Sequence, residues 1–411
     1  MIRASSAAIS MISFQVPPAI RQVAAAVERA ARELMRPAAR HFDEHENEVP
    51  WDYIRRMQQA LRSFGGLPVA PPPDGDGLDY QRLAHIYEML AWGDAGLYLC
   101  APRGGLGAAA VAAAGTPQQQ EQFLARFRGE QPVFSAMAIT EAHAGSDTSA
   151  IRTTAVQDAR EWVLNGEKIF VTGGHKALVD TPGFVVVWAT LDPALGRRGI
   201  HPFVVEAGTP GCSVVKLEKK LGIRASDTAT LLLQDCRVPL NNRLGYAESA
   251  EGGYQGVLQT FDATRPLVAA SALGVARAAL EFLRETLERE GLRPRTGLPR
   301  SRMTNLEREL ADLEALHRSA WLLVLKAAWA ADHRRRNTLE AAMAKVRAGE
   351  AVVRITQKAV ELLGPLGLSQ EHLLEKWFRD AKVNDLYEGT GQINRLIVAR
   401  QLLGYSRREL S

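Results

Sequence analysis

Cysteine is scarce in this chain: three in 411 residues, far apart, with no CxxC pair. That excludes a disulfide-stapled scaffold and a zinc ribbon. Cys100, Cys212 and Cys236 read as reduced, mostly buried thiols of a reducing compartment. Charge of one sign is equally thin. A formal net charge of +4, with no zinc-finger spacing and no stacked-aromatic motif, excludes a nucleic-acid footprint and suits anionic small molecules. Long hydrophobic runs are missing too. The closest, Ala320 to Ala331, is short and broken by Lys326, so no membrane span is expected. The stretch before Pro18 lacks acidic residues but carries only Arg3, thin support for a transit peptide, and Met11 is an alternative start. A cytoplasmic protein is expected.

What is present is a large apolar complement, 46% of residues, enough for a sizeable core and two or three domains. The apolar period divides the chain into residues 1–130, 131–245 and 246–411. The first part is helical: Val23, Ala26, Ala30 and Leu34 fall on one stripe ended by Pro37, and Thr116-Pro117 opens another helix. Pro68 to Gly77 reads as a loop. Near Pro132 the period becomes strand-like. Asn165-Gly166 between two β runs reads as a type I′ hairpin turn, and Phe184–Ala189, His201–Glu206, Cys212–Leu217 and Ala229–Val238 are further strands. From about Glu251 the helical period returns, with stripes at Leu306, Leu310, Leu313, Leu316 and Ala320, and at Val346, Val353, Val360 and Leu363. The order is helices, β domain, helices, an α+β organisation.

One segment carries chemistry. In Tyr387-Glu388-Gly389-Thr390 a carboxylate stands just before an apolar helical pattern, with Thr390 placed to cap it. Glu388 then lies near free backbone N–H groups at a helix N-terminus. Such a carboxylate suits proton abstraction beside a carbonyl; it also suits a Glu that merely favours a helix start.

Five motifs in order resolve that choice. They are Ile139-Thr140-Glu141 through Asp147, Asn165 through Gly174, Phe261-Asp262-Ala263-Thr264-Arg265-Pro266, Trp377 through Lys382, and the Glu388 segment. On these the chain resembles the flavin-dependent acyl-CoA dehydrogenases over about Val23 to Gly404. The resemblance implies an N-terminal α-helical bundle, a middle antiparallel β-barrel-like domain and a C-terminal four-helix bundle. It also implies FAD as cofactor and dehydrogenation of an acyl thioester to the trans-2-enoyl product. Glu388 matches the base that takes the α-proton, and the β-hydride, which no side chain can accept, goes to flavin.

The resemblance further implies roles residue by residue. Arg265 matches an arginine beside the base, alternatively an ion-pair partner of Asp262 or Asp385. Thr264 stands where a minority of the family carries the base, and has no carboxylate. Thr140, Gly145, Ser146, Phe170 and Thr172 match the flavin-binding segments. Thr390 and Gln392 match contacts to the adenosine side, and Arg293 a contact to the FAD of a neighbouring subunit. Ser146, Asp262, Arg265, Tyr387 and Gly389 match substrate contacts, and Tyr98 with Pro102 would bound the acyl end, favouring a short or medium acyl group. Leu97 stands where glutaryl-type enzymes place an arginine. Ala142, Phe170, Thr296, Thr304 and Glu361 depart from the family pattern, and Glu361 would face a diphosphate with like charge unless paired. An electron-transferring flavoprotein is the expected partner, with a homotetramer or homodimer as the assembly. A dehydrogenase of carrier-protein-bound acyl groups, an oxidase using O₂ and a catalytically inactive flavoprotein of the same fold are the alternatives.

Overall fold

The computed structural model describes residues 15–46, 48–63, 78–102, 104–245, 253–405 and 409. The expected Pro68–Gly77 loop and the residues before Gln15 lie outside them. Among the described residues the order is helical, then β, then helical. Helices α1 (Pro18–Ala30), α2 (Ala39–Glu44), α3 (Trp51–Arg62), α4 (Asp79–Gly93), α5 (Ala95–Leu99), α6 (Gly105–Ala114) and α7 (Pro117–Leu124) come first. The cap expected at Thr116 is present as a full capping box, with Gln119 returning the bond to the Thr116 amide. The N-terminal stripe is rotated from the expected one. Of the expected residues Ala26 is buried while Val23, Ala30 and Leu34 sit at the margin, and the deepest line runs through Ile20, Val27, Ala31 and Met35, the last two bounding a π turn over Ala31–Met35.

The middle part is one seven-stranded sheet: β1 (Ser135–Ala138), β2 (Thr154–Asp158), β3 (Glu161–Thr172), β4 (Phe184–Thr190), β5 (Ile200–Glu206), β6 (Cys212–Leu217) and β7 (Thr228–Pro239). The order is β1-β4-β2-β3-β7-β6, with β5 paired to β4. It is mainly antiparallel, but β1 runs parallel to β4. The expected Asn165-Gly166 hairpin is not formed. β3 continues through it along β7, with a bulge there, and the hairpin turn is Ala159-Arg160 between β2 and β3. The Asn165 side chain bonds the Asp235 amide across the ladder instead, so tertiary pairing overrides the local turn signal.

The last part contains α8 (Gly253–Arg289), α9 (Asn305–Asp332), α10 (Thr338–Leu363), α11 (Pro365–Leu368), α12 (Leu374–Ala381) and α13 (Gly391–Leu403). The α9 stripe lies as expected, with Leu310, Leu313, Leu316 and Ala320 buried. In α10 the deepest face is not the valine line but Ala341, Ala344, Ala348, Ala351, Ile355 and Ala359. Small side chains there let helices approach closely. Gly274 of α8 does the same against α4, where an added Cβ would fall 2.1 Å from the Glu88 carbonyl oxygen. The most apolar long stretch is Thr260–Arg289 rather than Ala320–Ala331, and 83% of its apolar window is buried in this helical core.

The three parts meet at a buried ion cluster. Lys376 of α12 bonds Asp94, at the start of α5, and Asp380 at 2.6 Å, while Asp380 accepts from the Ile223 amide of the β domain. All three charged side chains are essentially inaccessible. The Trp377–Lys382 motif is therefore architectural: it fixes how the segment leading to Glu388 is mounted.

Candidate active site

Glu388 sits on the turn between α12 and α13, half-buried, with a left-handed backbone (φ 53°) followed by Gly389 at φ 92°. A non-glycine residue in that region costs of order 1–3 kcal/mol and persists only when its surroundings over-determine it. The surroundings are on three elements. On α8, the Thr264 hydroxyl donates to Glu388 Oε2 at 2.8 Å and Arg265 Nε donates to the Glu388 carbonyl at 3.3 Å. On α13, Thr390 caps the helix by accepting from the Ile393 amide, and buried Asn394 donates to the carbonyls of Gly389 (2.8 Å) and Thr390. On α10, buried Lys345 donates to the Asn384 carbonyl at 2.5 Å and lies 5.6 Å over the Tyr387 ring, whose hydroxyl bonds Asn384 Oδ1. Burial pulls the Lys345 ammonium down to about 8, against the pull of Glu388 and Asp385.

Arg265 is 5% exposed, and of the ion-pair partners posed for it Asp262 is engaged. It pairs with Asp262 at 3.3 Å, stacks its guanidinium over Phe261, and donates to the Glu388 carbonyl. Pro266 follows it inside α8 and cannot donate to the Asp262 carbonyl four residues back. Asn337, just before α10, supplies that bond instead, and Thr338 donates to Asp262 Oδ2 at 2.6 Å.

The second half of the site is on the sheet. Glu141, buried, accepts from the Arg152 amide, the Thr153 amide and hydroxyl, and Lys168 Nζ at 2.7 Å. Lys168 also reaches the Ile139 carbonyl, and burial lowers it to about 8. This pair pins the Thr140–Ser146 loop to β3, where the Ile169 amide donates to the Thr140 carbonyl at 2.9 Å. A second β3 bulge between Lys168 and Val171 turns Phe170 outward: it is 60% exposed at φ 58°. Thr172 ends the strand half-buried. Phe261 of α8 packs against the cluster containing Ile139 and Ala144, which joins the sheet loop to the helix whose Thr264 and Arg265 contact Glu388.

Other sequence-predicted residues are placed as follows. Gly145, Ser146, Gln392 and Arg293 are exposed. Glu361 is paired with Lys358 at 2.8 Å and Gln357, so its carboxylate is compensated. In the loop after α8, Arg295 and Arg300 are engaged by Glu307 and Asp312. Tyr98 is 3% exposed and packs edge-on against Tyr87 in the helical core. Lys168 and Lys345 were not singled out from sequence. The signal was a lysine at a buried position of an otherwise apolar strand or helix face.

The family model for the acyl-CoA dehydrogenase N-terminal domain matches residues 17–130, that for the middle domain residues 136–236, and that for the C-terminal domain residues 251–403. The chain belongs to the acyl-CoA dehydrogenase family. It is 34% identical over 377 residues to the mitochondrial short-chain specific acyl-CoA dehydrogenase of Rattus norvegicus, covering 91% of this chain and 87% of the relative. It is 32% identical to the acryloyl-CoA reductase (NADH) of Anaerotignum propionicum, covering 90% of each. The structure of butyryl-CoA dehydrogenase from Megasphaera elsdenii superposes with a TM-score of 0.81 at 30% identity, covering 95% of this chain and all of that one.

As an acyl-CoA dehydrogenase the protein is an FAD oxidoreductase acting on CH–CH bonds. Its sheet surface fits a flat cofactor. Phe170 is turned out of the sheet in a strained conformation with its ring exposed, and at Gly145 and Gly173 an added Cβ would meet nothing within 4 Å. Thr140, Gly145, Ser146, Phe170 and Thr172 would hold the ring and pyrophosphate there. FAD supplies the acceptor for a hydride, which no protein side chain can take.

Proposed function

We propose that this acyl-CoA dehydrogenase oxidises short acyl-CoA thioesters to trans-2-enoyl-CoA, with Glu388 as the base for the α-proton. The observation that carries the reading is the mounting of Glu388: a carboxylate half-buried on a strained turn, oriented by Thr264 and with its backbone held by Arg265. A thioester α-proton is only weakly acidic, so a base helps most when partly withdrawn from water and fixed in direction. Tyr387 and Gly389 flank the base, and Ser146 and Asp262 are the candidates for contact with the CoA arm. Leu97 is fully buried and apolar, which supports a substrate without a second carboxylate. Similarity to the short-chain enzyme supports a short acyl group. The electrons leave to an electron-transferring flavoprotein. A homodimer or homotetramer would bring exposed Arg293 toward a neighbouring subunit's cofactor.

Anaerobic titration of the yellow enzyme with butyryl-, octanoyl-, isobutyryl- and glutaryl-CoA tests the reading. The flavin band should bleach with butyryl-CoA at the lowest concentration. Absence of bleaching with every thioester overturns the activity, and preferential bleaching by octanoyl-CoA overturns the chain length.

A further inference from the structure

The hydroxyl of Thr264 lies within bonding distance of two acceptors: Glu388 Oε2 at 2.8 Å and the Thr260 carbonyl, one turn back on α8, at 3.0 Å. A hydroxyl has one proton to give and lone pairs to receive with, so it can donate to only one of these at a time. Bonding to the carbonyl four residues back is an ordinary resting state for a threonine inside a helix. A carboxylate can only accept, whereas a carboxylic acid must donate. Any group touching a catalytic base through a turnover meets both forms. A fixed donor such as an amide would favour the charged form and oppose the protonated one.

We propose that Thr264 is a positioning residue that partners Glu388 in both protonation states by reversing the direction of their hydrogen bond. With Glu388 ionised, the Thr264 O–H donates to Oε2. Once Glu388 carries the proton taken from substrate, a half-turn of its carboxyl about the terminal torsion, whose profile is broad and two-fold, brings the acidic O–H to Thr264 Oγ1. The Thr264 proton then turns to the Thr260 carbonyl. No proton is gained or lost by Thr264, and the carboxyl stays anchored through the cycle. Charged groups that act near the base include Arg265 from α8, which holds its carbonyl, and Lys345 from α10, which also feels Asp385 on the segment of the base, and none of these has a neutral hydroxyl's ability to reverse. The inference rests on Glu388 being the base.

The test compares Thr264→Val and Thr264→Ser in the purified holoenzyme by two readouts. The first is the infrared C=O band of the protonated Glu388 carboxyl, identified by its loss in Glu388→Gln and followed through a pH titration. The second is the rate of flavin reduction at saturating thioester. In Thr264→Val the band should move to higher frequency for want of an acceptor. Its titration midpoint should rise by about half a pH unit or more, because the ionised form loses a charge-assisted bond. Flavin reduction should slow about 3- to 10-fold, the rate equivalent of one lost hydrogen bond. Thr264→Ser should restore all three. An unmoved band and midpoint in the valine variant overturn the proposal, as does a serine variant as impaired as valine. Reduction at wild-type rate in Glu388→Gln would instead overturn the choice of base, while the infrared titration still reports whether Thr264 and Glu388 are coupled. Equal flavin content in all variants shows that the fold is intact.

Discussion

Two glutamates in two motifs, Glu141 and Glu388, have opposite surroundings, and the contrast separates architecture from chemistry. Glu141 is 5% exposed and receives three backbone or hydroxyl bonds plus a buried ammonium, so its carboxyl lies below the usual range: Lys168 and the hydrogen bonds outweigh the desolvation that would raise it. A carboxylate so surrounded is a poor base and a good tether. Glu388 is half-buried on a strained turn, and the donors to it include a hydroxyl whose proton has a second place to go. Saturation with donors suits a structural carboxylate, and a partner able to reverse its bond suits the base proposed at Glu388.

The sharpest way to break the contrast is to neutralise each glutamate. Glu388→Gln should retain fold and FAD but lower flavin reduction by at least about 10²- to 10⁴-fold, the usual worth of a positioned base, in stopped-flow mixing with butyryl-CoA. Glu141→Gln should do the reverse, destabilising the protein by about 3–5 kcal/mol in denaturant titration because Lys168 is left buried without its counter-charge. Adding Lys168→Met to it should recover most of that loss, since the uncompensated charge goes with it.

The pH dependence follows with its sign. Glu141 is depressed in the folded state, so its contribution is present above the ordinary carboxylate range and disappears as pH falls through the lowered value. Acid unfolding of the Glu141→Gln protein should lack that component. A smaller effect is expected at the cap: Thr390→Ala should cost about 1 kcal/mol or less and leave the infrared band of Glu388 in place. A cap variant that abolished reduction would mean that the start of α13, rather than α8, orients the base.

Much of this was legible beforehand, for physical reasons. Periodicity located the helical and β parts, and the caps at Thr116 and Thr390 followed from local chemistry that the fold leaves undisturbed. The Asn165-Gly166 turn misled because a local preference of about a kilocalorie yields to a long ladder with β7. The partners of Glu388 were hidden by distance along the chain: Thr264 is 124 residues away, and the pairing exists only once α8 and the α12–α13 turn are packed. Arg265 was visible as a motif residue, but its joint hold on Asp262 and on the Glu388 carbonyl required coordinates. For Lys168 and Lys345 the pattern itself was informative. A lysine on a buried face implies an acceptor, though not which one.

Helix α10 and the residues leading into it brace both shoulders of the Glu388 carboxyl. At the near end Asn337 and Thr338 grip Asp262 on α8, and two turns along Lys345 grips the Asn384 carbonyl ahead of Glu388. Both flanks of the gap between the Thr264 hydroxyl and the Glu388 carboxyl are thus referred to one helix. A shared girder, rather than a bond within the turn alone, therefore sets where the carboxyl stands relative to α8.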